Sequence, residues 1–210
     1  MKTILFDLDG TLTDSGEGII NCASLALEKL GLPVPDRETM RVFVGPPLRD
    51  SFPRFGVQPE DVEEAIAIYR SRYGPTGMFE NTPYEGIKEL LSTLKAAGHR
   101  LILATAKPES MATAIVEKFE LACYFELICG ASMDSSRDSK DKVIGYVLEK
   151  IGSAENVVMI GDTAYDVTGA AVHGIPTIGV SWGYGTVEDM RTAGAIAIVD
   201  TPQQLQNMLL

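Results

Sequence analysis

The second half of the chain switches between two periodicities with little sequence between them. Short, continuously apolar runs (RLILATA, FELICG, VVMIG, IPTIGV and IAIV) alternate with segments whose apolar residues recur at helical spacing. In GIKELLSTLKAAG, Ile87, Leu90, Leu91 and Leu94 share one face, and Gly98 follows as a stop. Met111, Ile115 and Phe119 repeat the pattern in MATAIVEKFE. Val143, Val147 and Ile151 do so in KVIGYVLEKIG, which Gly152 closes. Few architectures accept strand and helix in turn. Parallel strands need crossover helices, and these cover both faces of the sheet. The apolar runs lack polar/apolar alternation, as strands buried on both sides should. With TILF as the first strand, the chain reads as an α/β doubly wound parallel sheet, with strands near Thr3, Leu101, Phe125, Val157, Pro176 and Ala197.

Residues 16–83 break this rhythm. They hold no convincing strand and read as helices: GIINCASLALEKLG, RETMRVFVG, PLRDSFPRFG and PEDVEEAIAIYRSRYG. The expected organisation is an α/β core of residues 1–15 and 82–210, with a small all-helical lobe, 16–81, inserted after the first strand. The connections are expected near Thr13–Gly16 and Phe79–Tyr84.

Composition narrows the partners. The chain has 210 residues, 45% hydrophobic and 22% charged, the balance of a soluble protein with a sizeable core. Its net charge is −11, and no Lys/Arg run stands out, which argues against nucleic acid and acidic membrane as partners. Cys22, Cys123 and Cys129 have no metal-ligand spacing and read as reduced thiols. Asp7 and Asp9 interrupt any signal-peptide core, and no run approaches the ~18 apolar residues of a membrane span. A cytoplasmic monomer or homodimer is expected.

In open parallel sheets, ligands bind beyond the carboxyl ends of the strands. Asp7 and Asp9 follow TILF. Thr105 and Lys107 follow LILA. Asp162, Thr163 and Asp166 follow VVMIG, and the polar loop ASMDSSRDSK ends at Lys140. Four carboxylates on one sheet edge repel each other, and one lysine does not balance them. A hard divalent cation with oxygen ligands does, and Mg²⁺ is the usual choice where carboxylates handle phosphate. Crowding also favours a protonated acid beside an ionised one, the arrangement that acid catalysis on a leaving group needs.

These residues carry a resemblance. FDLDGTLTDS resembles the DxDGT motif of the haloacid dehalogenase-like phosphatases, LILATAKP their second motif, Lys140 in SKDKVI the third-motif lysine, and VVMIGDTAYDV the GDxxxD motif. The helical insertion is similar to their C1-type cap. FVGPPLRDSF, TAKP and VSWGYG are similar to the phosphoglycolate phosphatase branch, which includes 5′-nucleotidases and pyrophosphatases. The resemblance implies a Rossmann-like core and an Mg²⁺-dependent phosphomonoester phosphatase acting on a small phosphorylated metabolite.

In that scheme Asp7 is nucleophile and metal ligand. Asp9 is the general acid and base, and its backbone carbonyl is also a ligand. Asp162 is the third protein ligand, and Asp166 holds a metal-bound water or Lys140. Thr105 and Lys140, preferred over Lys142, grip the phosphoryl oxygens. Substrate contacts are expected at Gly10, Thr11, Arg49, Thr105, Ala106, Lys107 and Lys140, with Arg137 a further candidate beside Arg49. His99 and His173 read as structural, and Tyr73 and Trp182 as packing residues. A phosphomutase is the nearest alternative. A receiver domain is disfavoured because Asp7 and Asp9 are not adjacent, and a nucleotide-binding loop because no GxxxxGK[ST] is present.

Overall fold

Each apolar run becomes a strand because its neighbours bury it from both sides. The computed structural model describes residues 1–134 and 136–210. Six strands form one sheet: β1 (Thr3–Phe6), β2 (Arg100–Pro108), β3 (Leu127–Ala131), β4 (Val157–Gly161), β5 (Thr177–Val180) and β6 (Ala197–Val199). Their spatial order is β3-β2-β1-β4-β5-β6, and every pairing is parallel. The order reverses between β1 and β4, which makes their carboxyl ends the switch point where such sheets bind ligands.

Strand β1 sits at the centre. Ile4 lies between Leu101 and Val158, and Phe6 between Leu103 and Ile160. Successive side chains point to opposite faces. Ile4 and Phe6 join Leu90, Leu91, Ile115 and Leu205 in one cluster, whereas Leu5 joins Val143, Ile144, Val147 and Met159 in the other. All of these are buried, and each contributes roughly 1.5–3 kcal/mol by leaving water.

Between β1 and β2 the chain builds a helical lobe, with helices Gly16–Lys29, Arg37–Met40, Leu48–Ser51 and Val62–Tyr73 and short 3₁₀ turns. The lobe has its own core, including Ile19, Leu27, Phe43, Phe52, Ile66, Tyr69 and Tyr73. Phe43 meets Phe52 edge-on at 5.1 Å and stacks on Phe55 at 4.8 Å. Two features depart from the sequence reading. The chain enters and leaves the lobe through two-residue strands, Thr13–Asp14 and Thr82–Pro83, paired antiparallel, so the region read as strand-free ends in one. A helix at Val187–Thr192 was not legible: only Met190 is buried, which leaves no periodicity, and Thr186 Oγ1 caps it by accepting from the Asp189 N–H at 3.1 Å.

Among the described residues, no helix is long and apolar enough to cross a membrane. All three cysteines are free, with Cys22 and Cys129 buried and Cys123 exposed.

Candidate active site

The site begins where β1 ends. The Asp7 N–H donates to Ile160 O at 2.9 Å, which continues the sheet pairing one residue past the strand and holds the Asp7 side chain at the sheet edge. The chain then turns. Gly10 has φ +81°, and a Cβ there would lie 2.2 Å from Asp162 Oδ2, so glycine is required by both backbone and space. The same turn brings Thr11 back to the site.

Asp162 follows β4 and is fully buried. Thr11 Oγ1 donates to its Oδ1 at 3.0 Å, and the Tyr184 N–H donates to its Oδ2 at 2.8 Å. Asp166 lies in the first turn of helix Ala164–Ala171, where a capping box fixes it: the Thr163 N–H and Oγ1 donate to Asp166 Oδ2 at 3.0 and 2.8 Å. Its other oxygen, Oδ1, faces the lysine.

Lys140 opens helix Lys140–Ile151. Its ammonium lies 2.7 Å from Asp7 Oδ1 and 2.8 Å from Asp166 Oδ1, and it donates to Ala104 O at 3.0 Å. Both carboxylate contacts are ion pairs without hydrogen-bond alignment. Lys142 instead pairs with Asp138 at the surface, at 2.7 Å.

Oxygens of Asp7, Asp162 and Asp166 all lie within 4.8 Å of one another. Burial, reinforced by the charges of Asp166 and Asp7, pushes the Asp162 carboxyl up to about 8. Burial also raises Asp166, against the opposing pull of Lys140. Burial works against the Lys140 ammonium as well, but Asp166 and Asp7 outweigh it and hold its pKa above the usual lysine range. The three clustered carboxylates have one lysine among them, paired with Asp7 and Asp166, so negative charge is left uncompensated. The donor set is hard oxygen throughout and fits a hard divalent cation such as Mg²⁺.

Asp9 is handled separately. Its Oδ2 lies 2.7 Å from the Lys107 ammonium, while its Oδ1 is buried without a partner. Thr105 is buried, and its Oγ1 accepts from the Lys107 N–H at 3.3 Å. A cavity of about 350 Å³ opens from Asp9 between core and lobe, lined by Ala106, Lys107, Arg49, Phe43, Tyr73 and Met111 among others. Arg49 reaches its wall, but its side chain is more than half exposed and pairs with Glu63.

Several side chains have roles that the sequence did not disclose. Arg137 points elsewhere: it donates to Gly130 O at 2.7 Å and to Glu109 Oε2 at 3.0 Å, and its guanidinium lies 3.8 Å from the Tyr146 ring centre. It braces the loop before Lys140. Tyr73 is packed as expected, yet its hydroxyl also accepts from Lys107 at 2.6 Å. Trp182 Nε1 donates to Thr11 O at 3.0 Å, which ties the loop after β5 to the turn at Gly10. His99 and His173 make structural contacts, with the Lys2 N–H and the Asp141 carbonyl.

Fold and site together define an α/β protein with an acid cluster at the topological switch point. The chain belongs to the haloacid dehalogenase-like hydrolases, whose family profile matches residues 4–180. It is 44% identical over 188 residues to the tyrosine-protein kinase PtkA of Mycobacterium tuberculosis, covering 89% of this chain and 64% of that protein. It thus spans just under two thirds of that relative's length. It is 40% identical over 190 residues to a 5′-nucleotidase of Pseudomonas aeruginosa, covering 90% and 86%. It is 32% identical over 208 residues to a phosphoglycolate phosphatase of Caulobacter vibrioides, covering 94% and 86%. Among solved structures, that of a predicted phosphatase from Clostridium acetobutylicum superposes with a TM-score of 0.95 at 42% identity, covering 99% of this chain and 97% of that one.

Proposed function

We propose that the chain is an Mg²⁺-dependent phosphatase of small phosphomonoesters that works through an aspartyl-phosphate on Asp7. The observation that carries this reading is the cluster of Asp7, Asp162 and Asp166, with Lys140 paired to Asp7 and Asp166, and Asp9 two residues from Asp7 and bound to a different cation. Residues 1–15 and 82–210 serve as the catalytic core. Residues 16–81 serve as the cap that shapes the leaving-group cavity.

Asp7 attacks phosphorus, and the bond from phosphorus to the leaving oxygen breaks as that oxygen takes a proton from Asp9. Water then attacks the aspartyl-phosphate and gives a proton to Asp9. Phosphate departs, and Asp7 and Asp9 return to their starting states. Lys140 and Thr105 hold the phosphoryl oxygens, and the Lys140 charge steadies Asp7 for attack. Asp7, Asp162, Asp166 and the Asp9 carbonyl would hold Mg²⁺, which when bound neutralises charge on the transferring phosphoryl group.

The substrate we favour is a small phosphorylated metabolite of the phosphoglycolate or 5′-nucleotide kind, in keeping with two of the relatives. Pyrophosphate and a mutase reaction are the alternatives. The cavity, about 350 Å³, has room for a small leaving alcohol.

A phosphate-release panel over phosphoglycolate, 5′-nucleotides and pyrophosphate, with Mg²⁺, tests the reading. Asp7→Asn should lower turnover at least ~10³-fold while the protein stays folded, and chelation should silence the wild type. Near-normal release by Asp7→Asn, or full activity in chelator, overturns it. Isomerised sugar phosphate without free phosphate would mark a mutase, and label passing from ATP to protein tyrosine would mark a kinase.

A further inference from the structure

Asp9 is the one acid of the site whose countercharge is anchored in the helical lobe. Lys107, at the end of β2, places its ammonium 2.7 Å from Asp9 Oδ2 and donates to the Tyr73 hydroxyl at 2.6 Å. Tyr73 ends helix Val62–Tyr73 of the lobe, so this chain of contacts crosses the seam between lobe and core. All three residues are buried, with Tyr73 2%, Lys107 9% and Asp9 9% exposed. Water therefore does not replace a lost partner easily.

The tyrosine is itself immobilised. Its ring stacks on Tyr69 at 5.1 Å with planes 19° apart. Gly77 packs against its edge, where a Cβ would lie 3.2 Å from the ring. Burial pushes the Tyr73 phenol up to about 12, so it remains a neutral hydroxyl. A four-carbon lysine stem has ample rotamer freedom, and a fixed acceptor removes much of it.

The division of Asp9's two oxygens gives this contact a use. Oδ2 is committed to Lys107, while Oδ1 is buried with no partner, in a residue that lines the cavity. An unpartnered buried carboxylate oxygen is costly unless something else is to meet it. Fixing Oδ2 fixes the carboxylate plane, and so fixes where Oδ1 stands.

We propose that Tyr73 is a positioning residue for proton transfer. Its hydroxyl holds Lys107 on Asp9 Oδ2, and this sets Oδ1 for the leaving oxygen only while the lobe is seated on the core. Tyr73 acts through Lys107 and Asp9. This inference rests on the phosphatase reading, in which Asp9 protonates the leaving group. The proton handed over is the one Asp9 already carries in that reading, and Tyr73 neither gains nor loses one.

The test exploits leaving groups that differ in their need for that proton. p-Nitrophenolate departs readily without one, and phenolate does not. kcat/KM is measured for p-nitrophenyl phosphate and phenyl phosphate with wild type, Tyr73→Phe, Lys107→Met and the double variant, with Mg²⁺ present. General acid catalysis contributes about 10²–10⁴-fold, so a carboxylate left out of position should forfeit about tenfold of it. Tyr73→Phe, which keeps the ring and its stacking, should lower the phenyl to p-nitrophenyl ratio about tenfold. Lys107→Met should lower it at least as far, and the double variant should match Lys107→Met. An unchanged ratio in Tyr73→Phe, whether both rates fall equally or neither falls, overturns the proposal. So does a double variant whose ratio falls by the product of the two single effects. Should Tyr73→Phe fail to fold, the ratio in Lys107→Met decides alone, and an unchanged value there is equally fatal. Absence of wild-type turnover on both esters instead refutes the phosphatase reading, so the two failures are distinct.

Discussion

Replacing Lys140 by methionine keeps most of the stem's bulk and removes the one ammonium that Asp7 and Asp166 share. The two contacts, 2.7 and 2.8 Å, lie where the lysine side chain is 6% exposed and its partners 8% and 0%. That burial puts them outside the regime of surface ion pairs, which are worth ~0–1 kcal/mol. Removing one partner from a buried ion pair costs about 3–5 kcal/mol, because the charges left behind have no compensation. For a chain of this size each kcal/mol moves Tm by about 2–4 °C, so metal-free Lys140→Met should melt roughly 6–20 °C below wild type.

The effect should depend on pH in a defined direction. A buried carboxyl whose folded-state pKa is raised binds a proton in the folded protein that the unfolded chain has lost, so stability falls as pH rises through that window. For Asp162 the window runs from the unfolded value of about 4 to the folded value of about 8. Lysine's own titration lies above this window and adds nothing within it. Asp166 is the raised acid that Lys140 pulls back down, so its carboxyl rises further once the ammonium is gone, and the gap between variant and wild type should be widest at pH 8 and narrow at pH 5.5, where a proton replaces the missing ammonium. Thermal melts in chelator at both values read this directly. A variant melting within ~2 °C of wild type at pH 8 would refute the claim that Lys140 balances the acid cluster.

Two further substitutions probe the geometry around the cluster. Gly10→Ala places a Cβ 2.2 Å from Asp162 Oδ2 at φ +81° and should cost about 1–3 kcal/mol of strain together with most of the phosphate release, as melts and a release assay would show; wild-type activity would mean the turn relaxes freely. Arg49→Ala breaks only a largely exposed pair with Glu63, so stability should change by less than ~1 kcal/mol. Its KM should rise more for phosphoglycolate than for p-nitrophenyl phosphate, and an equal rise on both would remove Arg49 from substrate recognition.

The sheet was legible because burial on both faces writes itself into a strand as an unbroken apolar run, and all six runs form strands. The acids were legible for a related reason: a carboxylate directly after such a run has to sit at the sheet edge. Lys140 was recoverable from its position at a helix start. Contacts that join distant segments through ordinary residues left no such mark. Tyr73 sits at helical spacing among apolar neighbours, so its sequence context describes the ring and not the hydroxyl. Tyr184 serves Asp162 through its backbone N–H, which any residue but proline could offer. Arg137 carries the same charge whether it faces a substrate or, as here, a glutamate and a carbonyl.

The paired strands Thr13–Asp14 and Thr82–Pro83 bear on how such a chain could diversify. The polypeptide leaves the sheet layer and returns to it side by side, with Thr13 opposite Pro83 and Asp14 opposite Thr82. An excursion whose ends already meet imposes almost no closure cost on the rest, and that cost grows only slowly with its length. The lobe is in effect a cassette on a two-stranded stalk. It can be lengthened, trimmed or exchanged without disturbing the register of β1 against β2 and β4. If Tyr73 positions Asp9 as proposed, an exchanged cassette must resupply a hydroxyl at its place.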